Sequence, residues 1–134
     1  MINPVKEYKN IENALEVVGF EINYPTRFVL KNISVISDRL LQLTFASVIV
    51  RKAKYNENEL DISGVYSGAY PNDCYKGEFE NEAIKGCEYW NGSAKSPKAY
   101  LAYWSDNNHE YSYSVYAPKG IDLKTMSNWQ KNLK

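Results

Sequence analysis

From Asn10 to Phe20 the apolar residues Ile11, Ala14, Leu15 and Val18 recur at the spacing of one helical face. Asn10 stands where an N-cap accepts from the first free amides, and Glu12 falls in the first turn. Gly19 predicts the stop, because a glycine at C′ takes the left-handed conformation that ties off the last carbonyls and lets Phe20 fold back on the final turn. After the Tyr24-Pro25-Thr26 break the period changes to two, through Ile33 and Val35, then Leu41, Leu43 and Phe45, then Val48 and Val50. Ser37-Asp38-Arg39 and Ala46-Ser47 are too short for crossovers, which need about a dozen residues, so three strands joined as antiparallel hairpins are expected.

Lys54 to Gly68 is polar and rich in turn formers, with Ile62, Val65 and Tyr66 as its one strand nucleus. Cys74 to Phe79 and Ile84 to Trp90 read as a hairpin about Glu80-Asn81-Glu82, and Asn91 through Pro97 as a surface loop. Asn91-Gly92-Ser93 is a glycosylation sequon, which matters only in a eukaryotic secretory pathway. Ala99 to Trp104 and Glu110 to Tyr116 flank the turn-rich Asp106-Asn107-Asn108. They form the clearest hairpin, with Tyr111, Tyr113 and Val115 on one face and Ser112, Ser114 and Tyr116 on the other. At the end Asp122 is placed as an N-cap, Ile121 to staple against Met126, and Leu123, Met126, Trp129 and Leu133 along one helical side. Lys131 and Lys134 suit the negative end of that helix's dipole. The expected class is α+β: a meander-like antiparallel sheet of about six to seven strands, with a short N-terminal helix and a C-terminal helix packed on it.

Composition narrows the classes. A chain of 134 residues matches one domain, so residues 1–134 are expected to share one core. With 44% hydrophobic and 24% charged residues it lies far from the regime of disorder. Sixteen basic against sixteen acidic residues leave no net field to recruit a phosphate backbone, so nucleic acid is not an expected partner. Leu40 to Val50, among the longest apolar stretches, is broken by Gln42, Thr44 and Ser47 and falls short of the roughly 20 residues a spanning helix needs. Met1 to Tyr8 lacks the basic and apolar regions of a secretory signal, so the chain as given carries no export address.

Candidate chemistry is sparse. There is no Gly-rich phosphate loop, GxSxG or HExxH, and with no CxxC pair and one histidine neither a metal nor a cofactor is expected. His109, between Asn108 and Glu110 with Asp106 near, has the composition of a base with a carboxylate orienter, but a lone histidine at a hairpin mouth is more often a solvated turn residue. Twelve tyrosines need an account. Tyr100, Tyr103, Trp104, Tyr111, Tyr113 and Tyr116 suit cross-strand packing better than ligand stacking, since facing aromatics stabilise antiparallel pairs by about 0.2–1 kcal/mol each. Tyr66, Tyr70, Tyr89 and Trp90 lie in or beside irregular segments, where packing explains exposed rings less well, and are the candidate binding surface. Arg51 and Asp61 could pair across the sheet or hold an anion; the expectation is structural.

Four segments in order resemble the domain of unknown function 4367 family, found in clostridial and bacillar exported proteins and behind the membrane helix of anti-sigma-factor-like proteins. They are Asn3-Pro4-Val5-Lys6-Glu7-Tyr8; Ala14-Leu15-Glu16-Val17-Val18-Gly19-Phe20 followed by Tyr24-Pro25; Arg51-Lys52-Ala53-Lys54 leading to Asp61-Ile62-Ser63-Gly64; and Tyr111-Ser112-Tyr113-Ser114. The resemblance implies a twisted antiparallel sheet packed with helices, no reaction, and a Met1 added at a domain boundary just outside a membrane anchor. The chain departs from the family pattern between Tyr70 and Lys98, where two cysteines and a longer loop replace a plain hairpin. Cys74 and Cys87, with twelve residues between them, would bridge if neighbouring strands bring their Cα atoms to about 5.5–6 Å, or else are two separate buried thiols. The bridge is favoured because the resemblance points outside the cytoplasm. The expected function is a non-enzymatic extracytoplasmic sensor or interaction domain of a Gram-positive bacterium, recognising a protein or envelope component. The rival expectations are a small-molecule or lipid carrier with an aromatic-lined pocket and, for location, the cytoplasm.

Overall fold

The computed structural model describes residues 5–54, 74–75, 78–79, 82–83, 88–91, 98–106, 108 and 110–134, with the strands between 74 and 91, Lys98 and Leu123 placed by their backbone. Helix α1 (Ile11–Val18) begins and ends as its sequence requires. Asn10 Oδ1 accepts from the Glu12 amide at 2.7 Å, and Gly19, at φ 78°, donates its N–H to the Leu15 carbonyl at 2.8 Å. Ala14 and Val18 form its buried side.

Among the described residues there are ten strands: β1 (Val5–Tyr8), β2 (Leu30–Ile36), β3 (Leu40–Phe45), β4 (Ile49–Lys54), β5 (Cys74–Tyr75), β6 (Glu78–Phe79), β7 (Glu82–Ala83), β8 (Glu88–Asn91), β9 (Lys98–Ser105) and β10 (Tyr111–Asp122). Helix α2 (Leu123–Asn132) closes the chain. Eight of the strands form one antiparallel sheet in the order β1-β2-β3-β4-β10-β9-β8-β5, while β6 and β7 pair separately as the tip of the hairpin expected around Glu80-Asn81-Glu82. Two meanders thus meet where β10 lies beside β4. The α+β class, the antiparallel sheet and the two helices are as the patterning predicts. Strand β1 is the addition; its mostly exposed Val5-Lys6-Glu7-Tyr8 carries no periodic signal and becomes a strand by pairing with β2.

Short-range geometry fixes the register. Ser37 (φ 53°) and Asp38 (φ 60°) both take left-handed conformations, and the Arg39 amide donates to the Ile36 carbonyl at 3.2 Å. This is a type I′ turn, whose twist matches the strands it joins. Ala46-Ser47 turns β3 into β4, with the Phe45 amide bonded to the Val48 carbonyl at 2.9 Å. Between Tyr116 and Ile121 the β10–β9 register shifts, and Pro118 and Gly120 (φ 79°) occupy the irregularity, where a missing amide and a left-handed backbone are tolerated.

The register aligns side chains in rows. Tyr8, Ile33, Leu43, Val50, Val115 and Ala102 lie across six strands on one face, beneath Ala14 and Val18 of α1 and Met126, Trp129 and Leu133 around α2. The neighbouring row on the opposite face is polar: Glu7, Ser34, Gln42, Arg51, Ser114 and Tyr103. Trp129, fully buried, anchors α2 against Phe28 (ring centres 4.6 Å apart) and Phe45 (5.2 Å), and Tyr24 meets Phe45 edge-on at 5.3 Å. Such pairs add about 0.5–1.5 kcal/mol each beyond area burial. Asn23 and Lys134 exchange two backbone hydrogen bonds of 3.0 Å, clipping the chain after α2 to the loop after α1. No helix among the described residues is long and apolar enough to cross a membrane.

Candidate functional site

The row next to the apolar one runs Lys6, Val35, Leu41, Lys52, Tyr113 and Trp104, so strict alternation through Val48, Val50 and Lys52 delivers a lysine to the helix-bearing face. Only 4% of Lys52 remains exposed. Its ammonium donates to the Glu21 carbonyl oxygen and lies over three rings: Tyr111 at 4.4 Å, Phe20 at 5.1 Å and Tyr113 at 5.5 Å from the ring centres. Phe20 and Tyr111 meet edge-on at 5.5 Å, and Trp104 stacks on Tyr113 at 5.6 Å with an interplanar angle of 18°. The negative ring faces and a carbonyl replace the water the ammonium gives up.

Asp106 directly follows β9. Its Oδ1 accepts from the amides of Glu110 (2.7 Å) and Tyr111 (3.1 Å), which ties the end of β9 to the start of β10 and holds a negative charge near enough to act on the lysine. Burial pulls the Lys52 ammonium below its ordinary pKa of 10.5, against Asp106 and Glu21, which raise it. Burial also pushes the Tyr113 phenol up to about 12, with the negative charge of Asp106 acting in the same direction. Perturbed groups often mark reactive sites. Here, however, the ammonium is occupied by its carbonyl and rings and is closed to solvent.

A second feature opens outward. A recess of about 460 Å³ is lined by Arg27, Asp122, Lys124, Thr125, Asn128 and Lys131, with Ser127 at its side. Arg27 comes from the loop after α1 and is held with its guanidinium 4.9 Å from the Phe28 ring centre. Asp122 caps α2, accepting from the Thr125 amide at 2.7 Å. Hydrogen bonds from Thr125, then the charges of Lys124 and Arg27, hold the Asp122 carboxyl below the usual range.

The residues singled out in the sequence fare unequally. Tyr89 and Trp90 lie on β8, opposite Cys74 and Ala99 respectively. Tyr66, Tyr70, Cys87, Asp61 and His109 lie outside the described residues, as do the side chains of Cys74, Tyr89 and Trp90, so the disulfide and the aromatic surface built on them do too. Arg51 bonds the Gln42 side chain through Nε at 2.8 Å, across its own register pair. In the β9–β10 hairpin, Trp104 and Tyr113 pack face to face, as cross-strand packing requires. The reading of single residues missed Lys52 and Arg27. Lys52 was visible as a lysine in phase with Val48 and Val50, whereas Arg27 lies in a loop with no periodic signal.

Fold and site together describe an α+β domain with a closed cationic box beneath its sheet hairpin and a basic recess beside its last helix. Comparison with protein-family models, with curated proteins and with solved structures finds no match in any of the three.

Proposed function

We propose that this chain is a non-enzymatic extracytoplasmic sensor or interaction domain, the outer part of a membrane-anchored or exported protein of the Gram-positive kind its segments resemble. It would recognise a protein or an envelope component. The observation that carries the non-enzymatic reading is the closure of Lys52: the most nucleophile-like perturbed group described is 4% exposed and holds the loop after α1 to the β9–β10 hairpin. What faces solvent in the described recess is fixed charge, suited to recognition. Those polar walls are not the apolar lining that the rival carrier reading needs of its pocket. The extracytoplasmic setting rests on the resemblance of the four segments.

The test is made in native cells. Fractionation with differential alkylation of Cys74 and Cys87 should place the protein outside the cytoplasm with the two thiols bridged, and crosslinking should capture a partner in the envelope fraction. Cytoplasmic protein with two free thiols would sink the proposal.

A further inference from the structure

We propose that the recess between the loop after α1 and the outer side of α2 binds a phosphate group as a dianion, free or carried on a larger molecule. The proposal rests on reading the chain as a binding domain and names the chemistry that one of its surfaces takes. Lys124 and Lys131 are seven residues apart on α2, nearly two full turns, so both project from the same side toward Arg27. Arg27 and Lys124 face one carboxylate, and that carboxylate is committed to capping the Thr125 amide. Both Arg27 and Lys124 lie close enough to Asp122 to draw its ionisation down, which places their charges together.

Two contacts aim the donors. Asn132 Nδ2 donates to Asn128 Oδ1 at 2.8 Å, which assigns that oxygen as the acceptor and leaves the Asn128 amide N–H groups as donors at the recess. The Arg27 guanidinium lies over Phe28, which packs in turn on the buried Trp129, so its fork is held on a fixed platform. The lining therefore offers donors and an excess of positive charge, which match a group with several acceptor oxygens and about two negative charges. At about 460 Å³ the recess also has room for whatever carries the phosphate.

Titration of the ¹⁵N-labelled domain with inorganic phosphate, at constant ionic strength and with chloride as control, tests this directly. Saturable shifts should appear at the amides of Thr125 and Asn128. Arg27→Gln and Lys124→Gln, both exposed charge removals, should each weaken binding about tenfold, while Lys31→Gln on β2 should leave it unchanged; the same spectra report whether each variant is folded. Phosphatidate vesicles, compared with phosphatidylcholine, separate the sources: sedimentation with the former that needs Arg27 and Lys124 identifies a lipid headgroup, and phosphate binding without sedimentation a soluble one. Shifts that persist in the Arg27→Gln/Lys124→Gln double variant, scatter over the exposed lysines, or fail to appear would overturn the site. Envelope capture by the same double variant would then show that the interaction reading survives without it.

Discussion

Lys52 lies directly across from Tyr113 in the β4–β10 register, yet its ammonium is nearer to Tyr111, at 4.4 Å from the ring centre against 5.5 Å. The side chain leans along the sheet to reach the Glu21 carbonyl, and Phe20 closes the other side. One residue thereby ties three parts of the chain: β4, the loop after α1 and the β9–β10 hairpin.

Replacing that residue separates charge from volume. Lys52→Met keeps most of the stem but loses the carbonyl bond and the ring contacts, and should destabilise the domain by about 1–2 kcal/mol. Lys52→Ala also empties the space and should cost about 1–2 kcal/mol more. Urea denaturation of the two variants checks the order; equal costs would mean that the box contributes nothing beyond the ammonium.

Alkaline pH should act on the same box through two groups of opposite sign. Tyr113 ionises near 10.0 when unfolded and near 12 when folded, so the folded state holds its proton longer and stability falls as pH rises from 10.0 toward 12. Lys52 has a folded pKa below 10.5, so the folded state sheds its proton first and stability gains as pH climbs to 10.5. In Lys52→Met the fall due to Tyr113 should stand alone, and Tyr113→Phe should abolish it. Tyrosinate absorbance alongside thermal melts gives the measurement, and a Tyr113→Phe profile identical to that of the parent would refute the assignment.

Asp122 should matter at low pH. Its carboxyl is held below the ordinary value by the Thr125 hydrogen bonds first, so its contribution is full above the usual carboxylate range and is lost as pH falls through the folded value. Asp122→Ala should cost about 0.5–2 kcal/mol near neutrality. Asp122→Asn keeps a capping acceptor and should flatten the acid limb while retaining most of the stability. Melts across the acid range for both variants decide it.

The type I′ turn is open to improvement. Ser37 and Asp38 both sit at positive φ, where side chains are disfavoured and Asn-Gly is the preferred pair. Ser37→Asn with Asp38→Gly should stabilise the domain by about 0.5–1 kcal/mol, read as a higher urea midpoint with an unchanged slope.

Local rules made much of this fold legible. Asn10, Gly19 and Asp122 act within a few residues of themselves, so helix ends could be read from the chain alone. The alternation through Ile33–Val35, Leu41–Phe45 and Val48–Val50 required half-buried strands, because side chains on a strand change face at every residue. Strand β1 was not legible, since edge pairing with β2 needs no apolar pattern in Val5–Tyr8. Nor was the adjacency of β4 and β10, which unites residues some sixty positions apart, as in the pair Val50–Val115.

The sites divide in the same way. The sequence by itself determined that Lys52 would share a face with Val48 and Val50, because alternation is a property of one strand. Only the tertiary structure decided that Tyr111, Tyr113, Phe20 and the Glu21 carbonyl would meet there, and that Arg27 would stand opposite Lys124 and Lys131. Such encounters depend on the order of strands and the docking of helices, which are chosen by burying the whole apolar face at once and leave no mark on any short stretch of chain.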